Sequence, residues 1–299
     1  AAFFFAGVML TEPATMPPTR SLRIVYGAFI GFLFLPDVHV GSFYFTPEVA
    51  LLAGNLYAYA VSSKAKLVLT LKERIRQTAD TFEFIFIPER PLSYEAGQYV
   101  EWTLPHTHAD NRGVRRYFTL ASSPLQKDIR LGAKFYAPPS SFKQRLLTMR
   151  PGDTLVISQL SGDFILPSDA RRKLVFLAGG IGITPFAGMI PYLIDKKERR
   201  DITLIYANKT QDDIAYRDLL EQAQREIGLR VLHSFSAPGA AGGIGALDAS
   251  RIAQAVPDYR ERTFYISGPH GMVASFKTIL RSIGIRRSRI KTDYFPGFV

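Results

Sequence analysis

An α/β protein with an all-β domain before its parallel sheet and apolar helices at its N-terminus is the fold class these 299 residues predict. Three observations carry it. The stretch Lys173–Pro185, KLVFLAGGIGITP, is an apolar run that breaks at Gly179, Gly180 and Gly182 and restarts as a helix. Such a run makes a strand buried on both faces, the mark of a parallel sheet. Between 65 and 170 the pattern is short alternating runs divided by Gly and Pro, the spacing of an antiparallel barrel. Before 62 the chain is dominated by apolar blocks. The expected order is therefore N-terminal transmembrane helices (1–62), an antiparallel six-stranded β-barrel (63–170) and a doubly wound parallel α/β domain (171–299).

Composition narrows the chemistry. With 47% hydrophobic residues the chain is long enough for two or three cores. It has no cysteine, which excludes disulfides, a thiolate nucleophile and a cysteine-held iron–sulfur cluster within these residues. Five histidines are scattered without i, i+4 spacing, so no metal site is expected, and His106 and His108 read as a surface loop. Net charge is +11, and residues 63–299 hold 35 basic against 23 acidic side chains. That balance suits anionic lipid, nucleotides or an acidic partner. No aromatic–basic pattern suggests nucleic acid. The chain opens Ala-Ala inside an apolar run with no charged region before it, as in a fragment or processed form without a signal peptide.

In the first region the apolar blocks are 1–10, 24–36 and 43–61. A span needs about 20 apolar residues. Lys and Arg occur in 11–23 and 64–76 but not in 37–42. That alternation fits two crossings with everything after 62 in the cytoplasm, at a cell inner membrane. Glu48, beside Pro47, reads as a helix start near the interface rather than an acid in the bilayer.

The barrel region holds two candidate constellations. In Arg115-Arg116-Tyr117-Phe118-Thr119, arginine can fork onto phosphate, an aromatic ring can stack on a planar heterocycle, and a hydroxyl can bond its edge. The same string also reads as a strand with exposed arginines and one core aromatic. Ser140-Ser141-Phe142-Lys143 opens a helix expected over 141–149, whose free N–H groups and Lys143 offer an anion site or an ordinary N-cap.

In the last region four strand-like runs, 174–178, 202–207, 229–235 and 263–267, alternate with helical patterns, including 214–226 stopped by Gly228. Parallel strands put their C-terminal ends on one edge, where ligands bind. That edge gathers Gly179–Pro185, Asn208-Lys209, Ser234–Pro238 and Ser267–Met272. Thr184 suits an N-cap and Pro185 the first helical position. The spacing Gly180-x-Gly182-x-x-Pro185 is not the dinucleotide fingerprint, and tight strand–helix packing alone also explains it. Pro191 predicts a kink in the helix.

Arg116-x-Phe118-Thr119, with Gly97-Gln98-Tyr99 before it and Ser140–Lys143, Gly152-Asp153, GGIGITP and Gly268-Pro269 after it, resembles the ferredoxin–NADP reductase superfamily in ordered motifs over 65–299. The resemblance implies FAD on the barrel: Arg116 on the pyrophosphate, Phe118 beside the isoalloxazine, and Thr119 near its reactive nitrogen. Tyr99 and Tyr117 lie close by, and Ser140, Ser141, Phe142 and Lys143 form a second contact. Arg115-x-Tyr117 is a competing register. It further implies NAD(P)H on Gly179, Gly180, Gly182 and Thr184, with Asn208 and Lys209 near the adenosine ribose and Ser267, Gly268 and Pro269 at the nicotinamide. Many relatives have cysteine where Ser267 stands. Lys209 could pair with a 2′-phosphate that Asp212 and Asp213 would repel, so the choice of NADH or NADPH stays open. Asp293–Phe298 resembles family C-termini that bring an aromatic, here Phe295, and an acid near the flavin; it also reads as an edge strand. Thr119, Ser267 and Phe295 are the candidate catalytic residues.

LTEPATMPPT (10–19), RIVYGAFIGFLF and TPEVALLAGN resemble the last membrane segments of RnfD/NqrB-type subunits. In that family a threonine carries covalent FMN in a motif upstream. The motif is absent here, so the site is not carried onto Thr11, Thr15 or Thr19. The whole implies a membrane-anchored flavoprotein passing electrons from NAD(P)H through FAD to a protein, quinone or second flavin. The rival is a non-catalytic, nucleotide-binding regulatory subunit of a redox complex.

Overall fold

The computed structural model describes residues 16–35, 37–62, 66–237, 242–245 and 247–295. The chain divides into two compact units, residues 1–66 with 158–163, and residues 67–157 with 164–299.

The first unit contains α1 (Arg20–Leu33), a two-stranded turn of β1 (His39–Val40) and β2 (Phe43–Tyr44), and α2 (Pro47–Val61). The helices meet along Tyr26, Ile30, Leu33, Ala50 and Ala58, all buried. Gly54 lets them close: a Cβ there would stand 2.4 Å from Ile30 Cδ1. Glu48 lies in the first turn of α2 behind Pro47, at a helix start as expected. The expected spans are cut short. Pro47 starts α2 four residues into its apolar block, because residues before it pair as strand, and α1 stops at Leu33. Helices of 14 and 15 residues rise about 21 and 23 Å, against a hydrocarbon core of about 30 Å. Among the described residues no helix is long and apolar enough to cross a membrane. The block 1–10 lies outside the described residues.

The second unit opens with the antiparallel sheet. Its strands are β3 (Leu67–Arg76), β4 (Thr81–Pro88), β5 (Tyr99–Thr103), β6 (Arg115–Thr119), β7 (Ile129–Lys134) and β8 (Thr154–Ser161). They are ordered β6-β5-β8-β3-β4-β7. The two outer strands are drawn together where Ala121 N–H donates to the Arg130 carbonyl (2.9 Å) and Arg130 N–H to Ser122 Oγ (3.2 Å). Trp102, Phe84, Phe86, Leu67 and Leu69 fill the interior, fully buried. Helix α3 (Ser141–Thr148) follows β7, and Ser140 Oγ accepts from Lys143 N–H (3.4 Å), the N-cap its sequence position predicts.

The parallel sheet holds β9 (Leu174–Gly179), β10 (Ile202–Asn208), β11 (Arg230–Phe235), β12 (Thr263–Pro269) and β13 (Ile290–Phe295) in the order β11-β10-β9-β12-β13. Helices α4 (Thr184–Asp195) and α5 (Arg217–Ile227) cover one face, α6 (Ala249–Ala255) and α7 (His270–Ser282) the other. Leu174 to Ala178 are all buried, as a strand covered on both faces requires. Gly228 ends α5 in the left-handed region at φ 73°. One local expectation shifts. A 3₁₀ turn (Gly180–Ile183) precedes α4, so Ile183 takes the cap position and Thr184 the first helical one. Pro191 lies inside α4, which continues four residues beyond it. Pro191 is buried in the helix's packed segment, and that packing carries the lost ladder bond.

Candidate cofactor site

Strand alternation sorts the flavin-motif residues onto two faces. The β5–β6 pairing sets Tyr99 opposite Thr119, Val100 opposite Phe118 and Trp102 opposite Arg116. Paired residues share a face. Arg116 and Phe118 therefore lie on the face of buried Val100 and Trp102, and both meet buried Phe142 of α3. The Phe118 and Phe142 centroids are 5.8 Å apart, and the Arg116 guanidinium lies 5.5 Å from the Phe142 ring. Tyr99, Tyr117 and Thr119 take the other face. The Tyr99 and Tyr117 rings meet edge-on at 5.9 Å, and Tyr117 Oη donates to Glu101 Oε2 (3.2 Å). Burial, then Glu101, pushes the Tyr117 phenol up to about 12. Tyr117 is 42% exposed, whereas Phe118 is half-buried. The exposed aromatic of this strand is thus Tyr117, while Arg116 and Phe118 share the face that meets α3.

Arg116 is heavily engaged. Its Nη2 pairs with Asp110 Oδ1 at 2.8 Å, and its Nη1 donates to the carbonyls of Arg112, Gly113 and Arg115. Asp110 also reaches the start of α3, accepting from Ser141 N–H (3.3 Å) while its own N–H donates to Ser141 Oγ (3.0 Å). Burial would raise the Asp110 carboxyl, but the Arg112 amide and side chain, with Arg116, hold it well below the usual carboxylate range. His106, in the expected loop, bonds Ser141 Oγ through Nε2 (3.0 Å). Lys143 donates to the Lys134 carbonyl, and burial, then Arg112 and Arg116, lower its ammonium. Arg116, Ser140, Ser141, Phe142 and Lys143 do converge, as expected. Asp110 joins them from a polar loop with no periodicity to mark it.

The nucleotide edge assembles around close backbone approaches. A Cβ on Gly182 would stand 2.2 Å from the Ser267 carbonyl oxygen, and one on Gly179 2.1 Å from Met272 Sδ. Gly268 would meet Met272 Cε at 2.5 Å. These glycines are packing requirements that seat β9, β12 and α7 together. Gly180 differs: its φ is +51° and a Cβ would meet nothing within 4 Å, so this backbone faces open space at a helix start. Tyr206 Oη holds the turn from beneath, donating to the Gly180 carbonyl (3.1 Å). Thr184 is buried, and its Oγ1 donates to the Ile181 carbonyl (3.1 Å). At the end of β10, Asn208 is buried with both amide atoms lacking a hydrogen-bond partner, while Lys209 is exposed. Ser267 is fully buried and its hydroxyl is likewise unpartnered. Register sets Ser267 beside Asp293 and Pro269 beside Phe295, so the tail strand β13 ends at the Gly268 turn. The Phe295 side chain lies outside what is described.

Orphaned polar atoms, an open positive-φ glycine and a basic helix N-terminus fit nucleotide ligands with phosphate groups. FAD, when bound, supplies hydride acceptance and electron release to a partner. The chain's own residues would seat its phosphates and set the geometry.

Residues that the sequence reading missed join the two halves. Gly132 of β7 admits Tyr216 and Thr184, since a Cβ there would stand 2.4 Å from Tyr216 Oη and 2.6 Å from Thr184 Cγ2. Tyr216 is left-handed at φ 58°, held by Gln77 Oε1 on its N–H (3.0 Å). Lys134 Nζ reaches Asp80 (3.1 Å) and Asp213 (3.6 Å). No local pattern marks these positions.

Residues 176–278 match the family model described as the oxidoreductase NAD-binding domain. NADH-cytochrome b5 reductase 1 of Aspergillus terreus is 28% identical over 262 residues, 81% of this chain and 88% of that protein. NADPH oxidoreductase of Mycobacterium tuberculosis is 29% identical, covering 70% of this chain and 55% of its own length. Among solved structures, a ferredoxin NADP+ reductase from Neisseria gonorrhoeae with bound FAD and NADP superposes with TM-score 0.64 at 17% identity. It covers 78% of this chain and 99% of that one. The chain therefore carries a ferredoxin–NADP reductase-like FAD/NAD(P)H-binding module, and it is an FAD-dependent NAD(P)H oxidoreductase.

Proposed function

We propose that this chain passes electrons from NAD(P)H through FAD to an acceptor outside itself: a protein, a quinone or a second flavin. The observation that carries the reading is the convergence at one sheet edge of the Gly180 turn, Asn208, Ser267–Pro269 and the end of β13, with α4 joined directly to the barrel through Gly132 and Gly188. Holding donor and acceptor rings on one body is the protein's part in such a reaction. Cytochrome b5 reductase, 28% identical, supports a protein acceptor. The test is the visible spectrum of the purified protein under nitrogen, before and after NADH or NADPH. A flavin band bleached by one nucleotide is expected. A protein that takes up no FAD overturns the reading.

The bilayer belongs to the same proposal. The outer faces of α1 and α2 expose Ile24 (62%), Phe32 (56%), Leu52 (68%) and Leu56 (70%), apolar side chains of the kind a membrane or partner covers. The resemblance of residues 1–62 to terminal RnfD/NqrB membrane segments supports lipid as the cover. The Lys and Arg distribution supports a cytoplasmic reductase module at the inner membrane. Carbonate-washed membranes should retain the chain, and protease should reach the module only in inside-out vesicles. Release by carbonate removes the bilayer from the proposal and leaves the reductase reading intact.

A further inference from the structure

We propose that Asp110 is a built-in anion that competes with the flavin pyrophosphate for the seat formed by Arg116 and the start of α3, and so sets how tightly this chain holds FAD. The inference rests on assigning that seat to FAD.

Both Asp110 oxygens are used as a phosphate's would be. Oδ1 accepts from Arg116 Nη2 (2.8 Å) and the Arg112 amide (3.0 Å). Oδ2 accepts from the Ser141 amide (3.3 Å) and Arg112 Nη2 (3.1 Å). A helix-start amide, a guanidinium fork and a nearby ammonium, Lys143, form the donor set that recognises a phosphate group. One carboxylate now takes the amide and the guanidinium, while Lys143 Nζ donates to the Lys134 carbonyl. The same donors serve two anions poorly, because the second arrives against like charge. Asp110 stays ionised at any working pH, so the competition does not switch off by protonation.

The carboxylate is also carried on a support that can withdraw it. Asp110 sits in the connection between β5 and β6, where Pro105, Thr107, His108, Ala109, Asn111 and Arg112 are all exposed. Its links to the rest of the fold are the bonds to Arg116, Ser141 and its loop neighbours. Departure of this side chain frees Arg116 Nη2 and the Ser141 amide together, without disturbing the β5–β6 ladder.

The experiment titrates the deflavinated full chain with FAD and, separately, with riboflavin, which has the ring but no phosphate. Asp110→Asn keeps shape and removes charge; Asp110→Ser serves as a second variant, and equal thermal unfolding of each variant controls for the fold. Flavin fluorescence quenching reads the affinity. Asp110→Asn should tighten FAD about tenfold or more and leave riboflavin unchanged, while Arg116→Gln weakens FAD. If Arg116→Gln weakens FAD but both Asp110 variants weaken it or leave it unchanged, Asp110 supports Arg116 and the competition is overturned while the seat stands. If neither position moves FAD affinity, the seat is not FAD's, and the assignment and the inference fall together.

Discussion

Gly188 of α4 lies flush against the Leu120 carbonyl: a Cβ on Gly188 would stand 2.7 Å from that oxygen and 3.1 Å from the Ser122 carbonyl. Leu120 directly follows β6, and α4 directly follows the Gly180–Ile183 turn. The missing side chain is what lets the two halves meet backbone to backbone.

Gly188→Ala therefore pushes α4 off the barrel. Backbone oxygens cannot rotate away as a side chain would, so about 1–3 kcal/mol of stability should be lost. Ring-to-ring geometry should suffer as well. Stopped-flow flavin reduction by saturating NADH or NADPH should slow while FAD stays bound. An unchanged reduction rate would show that this contact does not set the transfer distance.

Ser267 has a buried hydroxyl without a partner. Removing it relieves an unsatisfied group, so Ser267→Ala should leave the melting temperature unchanged or raise it slightly. If that hydroxyl serves the nicotinamide, flavin reduction falls in the same variant. A drop in melting temperature would instead reveal a structural partner.

Asp293 is pushed up to about 6 by burial. The folded chain then binds its proton more tightly than the unfolded chain, so stability is full near pH 4 and declines as pH rises towards 6 and above. Asp293→Asn should raise stability at pH 8 by about 1 kcal/mol after solvent screening, read as a higher melting temperature. The advantage should shrink towards pH 4. An advantage independent of pH would dissociate it from titration.

Arg262, buried at the opposite sheet edge, holds Asp201 through two bonds (2.7 and 3.0 Å) and Asp258 through two more (2.6 and 3.0 Å). It also donates to the Leu174 carbonyl (3.2 Å), so one guanidinium ties the starts of β9, β10 and β12. Its hydrogen bond brings the Asp258 carboxyl down to about 2. That contribution is complete above about pH 4 and is lost as pH falls towards 2. Arg262→Gln should cost about 1–2 kcal/mol at pH 7, because the buried fork is lost while solvent screens the two partly exposed carboxylates. Urea melts across pH 2–7 check both statements. A cost below about 1 kcal/mol would mean the cluster is solvated.

Much of the architecture was legible because it is periodic. Leu174–Ala178 and 202–207 read as buried strands, and Gly228 marked a helix end at the one conformation that needs glycine. Short-range rules also served α3, whose cap is Ser140. The facing of Arg116–Thr119 was not legible, for a definite reason. Both RRYFT phases present an arginine and an aromatic at alternate positions, and only the pairing of Tyr99 with Thr119 decides which set faces the core. Helix length in the first unit failed similarly: apolar content was read as span, but strand pairing at Phe43–Tyr44 shortened α2.

The order of local elements, the glycine turn and the shared C-terminal edge of the parallel strands were determined by the sequence alone, because each depends on backbone preference and hydrophobic period within a few residues. Tertiary structure decided which face of β6 looks outward, that Asp110 stands with Arg116 and Ser141, and that Gly132 and Gly188 are contact points between the halves. Those facts depend on partners far apart along the chain: Asp110 meets Ser141 across 31 residues and Gln77 meets Tyr216 across 139. No local propensity encodes such pairs; they exist only once the sheets have closed.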